Sequence, residues 1–110
     1  MRPSLHVALA FSLLLASEVQ GQVRIVGRVI DDVTERPLDG AQVTLRTRDG
    51  RFLTRTETSE TGTFEVDLGA GVSAVRIDVR RLSYAANVMP LLHFDGRNFF
   101  QVEARLAPDA

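Results

Sequence analysis

From Val23 onward the chain offers a single imidazole, His93, and a single phenol, Tyr84. It contains no cysteine and no tryptophan, and its 13 basic residues are all arginine. A zinc centre is built from three or four His, Cys or carboxylate ligands, so His93 alone cannot found one of the usual His/Cys kind. Nucleophilic chemistry through Cys or Lys is closed, and neither a Gly-rich phosphate loop nor a nucleophile elbow is present. The run Asp31-Asp32-Val33-Thr34-Glu35-Arg36-Pro37-Leu38-Asp39 could gather oxygen ligands for Ca²⁺, which takes about six to eight of them; aspartates at this density also build turns and keep a connection soluble. The inventory predicts no cofactor, no metal and no enzymatic activity, and leaves a chain that works by contact.

The elements that would present such a contact are legible from the periodicity. Residues 1–21 combine Arg2, the apolar run Val7-Ala8-Leu9-Ala10-Phe11-Ser12-Leu13-Leu14-Leu15-Ala16, and a Val19-Gln20-Gly21 cleavage pattern, the three parts of a secretory signal. A run of ten residues is half of what a helix needs to cross about 30 Å of hydrocarbon. The expectation is a signal peptide over residues 1–21, one domain over residues 22–110, no membrane anchor in the mature chain, and a secreted or periplasmic destination. The absence of cysteine removes both disulfide staples and a site for lipid attachment.

Past Val23 the apolar residues recur with period two, and Gly, Asp and Pro interrupt them at short intervals. Val23, Ile25, Gly27 and Val29 share one face of a first strand; Ala41, Val43 and Leu45 form the inward set of a second. Asp49-Gly50 predicts a hairpin into a Thr-rich strand from Phe52 to Thr58 that suits an edge. Phe64, Val66 and Leu68, then Val75, Ile77 and Val79, mark two further strands. The stretch Leu82 to Phe94 is irregular and carries Pro90, as an edge strand or bulge would. Asp95-Gly96 predicts a second hairpin, leading to a strand with Phe100, Val102, Ala104 and Leu106 inward. The fold class that follows is all-β, a sandwich of about seven strands.

A formal net charge of −1 argues against nucleic acid as a partner. In a sandwich the strands are committed to the core, and long connections carry the variable contacts. The predicted contact surface is therefore Asp32, Glu35 and Asp39 in the first long connection with Tyr84, His93 and Phe94 in the second; Tyr84, Phe94 and Phe99 are the aromatics expected to reach the surface. Its expected partner is a protein or polysaccharide of the cell envelope. Two more specific alternatives are a carbohydrate-binding module, for which the missing Trp is a handicap, and an assembly protein that pairs through an edge strand.

Ile25-Val26-Gly27-Arg28-Val29, Asp31, Pro37-Leu38-Asp39-Gly40-Ala41-Gln42-Val43-Thr44-Leu45, Thr56-Glu57-Thr58 and Thr61-Gly62-Thr63-Phe64 together resemble the carboxypeptidase regulatory-like family, and the resemblance continues more weakly through Tyr84 and Val102 to Leu106. It implies a transthyretin-like (prealbumin-like) Greek-key sandwich with a carbohydrate-binding-like fold, in a supporting or binding role. Gly27 is expected to allow close approach between backbones, and Gly62 to turn the chain before an aromatic core residue. Enzymes on related folds have requirements the sequence does not meet. The hydroxyisourate hydrolases carry a final Tyr-Arg-Gly-Ser, where Arg105-Leu106-Ala107-Pro108-Asp109-Ala110 stands here; intradiol dioxygenases hold iron with two Tyr and two His; pilin isopeptide crosslinks need a Lys.

Overall fold

The computed structural model describes residues 22–109. The predicted signal peptide and its cleavage site lie outside the described residues. Eight strands, β1 (Val23–Asp31), β2 (Gln42–Arg46), β3 (Phe52–Glu57), β4 (Thr63–Leu68), β5 (Ala74–Arg80), β6 (Asn87–Val88), β7 (Leu92–His93) and β8 (Phe99–Leu106), make two sheets, with no helix among the described residues. The three-stranded sheet has the order β4-β1-β8; the five-stranded sheet has the order β3-β2-β5-β6, with β7 also on β5. All pairings are antiparallel except β1 with β8, so the first and last strands run side by side.

The period-two pattern explains which faces meet. Ile25 and Val29 from β1, Val43 and Leu45 from β2, Val75, Ile77 and Val79 from β5, and Leu106 from β8 are essentially inaccessible and form the layer between the sheets. Arg24, Arg28, Glu65, Asp67 and Glu103 occupy the alternate positions and stay exposed. Phe94 closes one end of the core against Phe100, their rings 5.3 Å apart, and the Arg97 guanidinium lies 4.7 Å from the Phe100 ring.

One local expectation is sharpened and two change. The irregular Leu82 to Phe94 segment supplies two strands of two residues each, β6 and β7, on either side of Pro90; both pair with β5 at the sheet edge. Asp95-Gly96 is a tight turn with positive φ at both residues and a Phe94 carbonyl accepting from the Arg97 amide, but it joins β7 in one sheet to β8 in the other and is no hairpin. Turn chemistry specifies a reversal and says nothing about which strands then pair. Gly27 is required by a side chain, where close backbone approach had been expected: a Cβ there would stand 2.3 Å from the Phe64 ring.

Candidate functional site

The connection from β1 to β2 is built around Asp31. Its carboxylate Oδ1 accepts from the backbone amides of Val33 at 2.7 Å and Thr34 at 2.9 Å, the Asx arrangement that turns a chain leaving a strand. The other oxygen, Oδ2, accepts from the Tyr84 hydroxyl at 2.7 Å. Asp31 is 6% exposed, so these bonds replace nearly all of its water. The Thr34 amide, then the Tyr84 hydroxyl and the Val33 amide, hold its carboxyl below the usual aspartate range, while the bond to Asp31 pushes the Tyr84 phenol up.

Arginines fasten the same loop from outside. Arg105 reaches Glu35 at 3.2 Å, Asp32 at 3.5 Å and its strand neighbour Glu103 at 3.3 Å. Arg81 donates to the Asp39 backbone carbonyl at 2.6 Å and to its carboxylate at 3.1 Å, and its guanidinium sits 5.6 Å from the Tyr84 ring. Asp32, Glu35, Asp39 and Tyr84 thus share one end of the sandwich, each with a partner from elsewhere in the chain. Among the described residues no three His, Cys, Asp or Glu side chains converge on a position that could hold a metal ion.

His93 and Phe94 do not join them. Tyr84 lies in the connection that leaves β5 after Arg80, whereas His93 pairs with Ala74, the first residue of β5, so the two sit toward opposite ends of that strand. The candidate contact residues therefore divide between opposite ends of the molecule. Phe94 is corrected outright: at 3% exposure it is a core residue, because the turn after it folds its ring onto Phe100. Phe99 is half exposed, and the most accessible large apolar side chains also include Phe52, Leu82 and Val88. Arg81 and Arg105, which organise the loop, went unrecognised because an arginine at an outward strand position looks the same whether or not a carboxylate faces it.

The outer face of the three-stranded sheet is a ladder of ion pairs set by register. Arg24 lies opposite Asp67 and bonds it at 2.9 Å, with Glu65 at 3.6 Å; Arg28 lies opposite Glu103 and bonds it at 3.3 Å. A cleft of about 790 Å³ is lined by Val26, Gly27, Phe64 and Val102 of this sheet together with Thr56, Glu57 and Ser59.

The outer face of the five-stranded sheet differs. Arg46 stands directly opposite Arg76, and opposite Phe52 on its other side. Arg76 Nε donates to the Arg48 carbonyl at 2.9 Å, and Arg48 Nη2 comes 3.5 Å from His93 Nδ1. The nearby Asp49 is turned onto the Thr47 hydroxyl within its own hairpin, which lowers its pKa. Asp78 takes a bond from Arg80 at 3.2 Å, while its second oxygen is buried without a partner among the described residues.

Three comparisons bear on this arrangement. The profile of the carboxypeptidase regulatory-like domain matches residues 24–106. Among solved structures the chain is similar to the pilus 2b backbone protein of group B streptococcus (TM-score 0.67, 17% identity, covering 80% of this chain and 42% of that one). It is also similar to the shaft pilin SpaA of Lactobacillus rhamnosus GG (TM-score 0.65, 14% identity, 81% and 48%) and to the 3-chlorocatechol 1,2-dioxygenase of Rhodococcus opacus 1CP (TM-score 0.61, 9% identity, 79% and 59%). At these identities the likeness is one of fold, and the chain spans less than half the length of the two pilus proteins. No curated protein matches the chain.

Proposed function

The chain belongs to the carboxypeptidase regulatory-like domain family, and from that premise we propose that it is an exported, non-catalytic structural or adhesive module of the bacterial cell envelope. The observation that carries this reading is how the chemically capable side chains are used. Asp31 and Tyr84 bond to each other and to a turn, and Arg81 and Arg105 clamp the acidic loop to the strands. Groups committed in this way make a rigid body and leave contact as the means of action. The fold shared with pilus backbone proteins supports the same reading. So does the export expected from residues 1–21, with the mature chain starting at Gln22.

The test is sedimentation of the purified protein with washed envelope fragments. Co-sedimentation that withstands a metal chelator is expected, and protein recovered from the host envelope should have the mass of a chain beginning at Gln22. A protein that stays in the supernatant while remaining folded would overturn the adhesive role. A second reading, assembly by strand addition, is favoured by β3, a six-residue edge strand that pairs, among the described residues, with β2 alone and carries the half-exposed Phe52.

A further inference from the structure

We propose that the outer face of the five-stranded sheet binds a carboxylate-bearing polysaccharide, a chain of uronate-type sugars, across Phe52, Arg46 and Arg76. This rests on the contact role proposed above and names the chemistry of the partner.

Charge is segregated in this molecule. The side formed by β2, β3, β5 and the hairpin Thr47–Arg51 carries Arg46, Arg48, Arg51, Arg55, Arg76 and Arg80 against only Asp49, Glu57 and Asp78; the other residues from 22 to 109 hold six arginines and ten acids. Asp49 faces its own turn and Asp78 faces Arg80. Arg46, Arg48, Arg51, Arg55 and Arg76 consequently have no carboxylate within 4.0 Å among the described residues. Like charges directly opposite each other on a sheet are destabilising, and Arg46 and Arg76 are such a pair. An anion lying between them would convert repulsion into two charge-assisted interactions.

The geometry selects the kind of anion. Phe52, Arg46 and Arg76 stand side by side on three neighbouring strands, a row about 10 Å across at ordinary inter-strand spacing. Phe52 is 53% exposed and on the outward side, where the Arg55 guanidinium lies 5.9 Å from its ring. A pyranose ring laid on Phe52 would carry its carboxylate over Arg46, whose planar fork takes a carboxylate through two parallel hydrogen bonds. The next sugar then meets Arg76, already oriented by its bond to the Arg48 carbonyl, so little ordering accompanies binding. The face is open rather than enclosed, which suits a polymer crossing the strands. Asp78, opposite Thr44, and Glu57, opposite Gln42, place acids in the rows beside this one along the strands, leaving too narrow a basic strip for a membrane surface or a duplex backbone.

Affinity electrophoresis through gels containing polygalacturonate, dextran or no polymer tests the assignment, with sedimentation on phosphatidylglycerol vesicles beside it. Polygalacturonate is expected to retard the protein, less so as salt is added, while dextran and vesicles have no effect. The Arg46→Ser/Arg76→Ser variant should bind at least about tenfold more weakly, since each bidentate contact it removes is charge-assisted. Phe52→Ser should weaken binding less, and Arg28→Ser, on the opposite face, should leave it unchanged. Circular dichroism establishes that each variant is folded; Arg76→Lys, which keeps the charge and loses the fork, serves should the double variant not fold, and is expected to bind more weakly than the parent. Equal retardation by dextran, stronger binding to vesicles, or undiminished binding in the folded double variant or in Arg76→Lys would each overturn the proposal. Loss of polygalacturonate binding alongside intact envelope sedimentation would overturn this assignment and leave the contact role standing.

Discussion

The two outer faces of the sandwich are made from the same residue types and treat charge in opposite ways. On the three-stranded sheet each arginine meets an acid: Arg24 meets Glu65 and Asp67 and Arg28 meets Glu103 across strands, while Arg105 meets its strand neighbour Glu103 and the loop acids Asp32 and Glu35. On the five-stranded sheet Arg46 meets Arg76, and the nearest acid of the hairpin turns away to Thr47. A formal net charge of −1 conceals this division. Total charge speaks to long-range attraction, whereas recognition depends on local charge left without a partner.

The comparison presumes one core beneath both faces, and breaking that core has the largest expected effect. Val29→Asp, under the paired face, and Ile77→Asp, under the unpaired face, each bury a carboxylate at an inaccessible position. The penalty is several kcal/mol against a total stability of about 5–15 kcal/mol, so neither variant should show a folded circular dichroism spectrum. A folded Ile77→Asp protein would mean that the inward and outward sets of β5 are exchanged.

Gly27 probes the middle of the paired sheet. Gly27→Val is expected to cost about 1–3 kcal/mol in urea denaturation by forcing the Phe64 ring and Val102 aside, whereas Gly69→Val, with open space around its Cβ position, should be close to neutral. Equal costs at the two positions would contradict the packing of Phe64 over Gly27.

The loop end should reveal itself through pH. Because the folded state lowers the Asp31 pKa, the stabilisation from its hydrogen bonds is present above the ordinary value of about 3.9 and fades as pH falls toward the folded-state value. Tyr84 is raised, so its contribution is complete below about 10 and is lost as pH climbs through the higher folded-state value. Melting temperatures measured from pH 2 to 11 should fall more steeply at both extremes for the parent than for Tyr84→Phe. On the acid side the variant keeps part of the slope, since the Thr34 and Val33 amides still hold Asp31.

The smallest effect bears on the faces directly. Arg28→Ser removes a cross-strand ion pair and should destabilise by about 0.2–1 kcal/mol at low salt. Arg76→Ser removes a like-charge opposition and should be neutral or slightly stabilising under the same conditions. Both differences should shrink at high salt. Two losses of equal size in chemical denaturation would show that the faces are not electrostatically distinct.

Period-two alternation alone determined the all-β class, the inward sets of β1, β2, β4, β5 and β8, and the weak pairing of the Leu82 to Phe94 stretch. Hydrophobic patterning is a local property, and a sheet with one buried face must display it. Side-chain inventory likewise set the expectation of a chain that acts by contact. Only the tertiary structure decided what depends on register and on crossing between sheets. It placed Asp95-Gly96 between different sheets, sent Phe94 inward, and set Tyr84 and His93 toward opposite ends of β5. It also set Arg105 against the acidic loop and Arg46 against Arg76, positions far apart in sequence. An arginine at an alternating position is the same letter in both settings, and its electrostatic energy is fixed by whichever side chain the pairing of distant strands brings within a few ångströms of it.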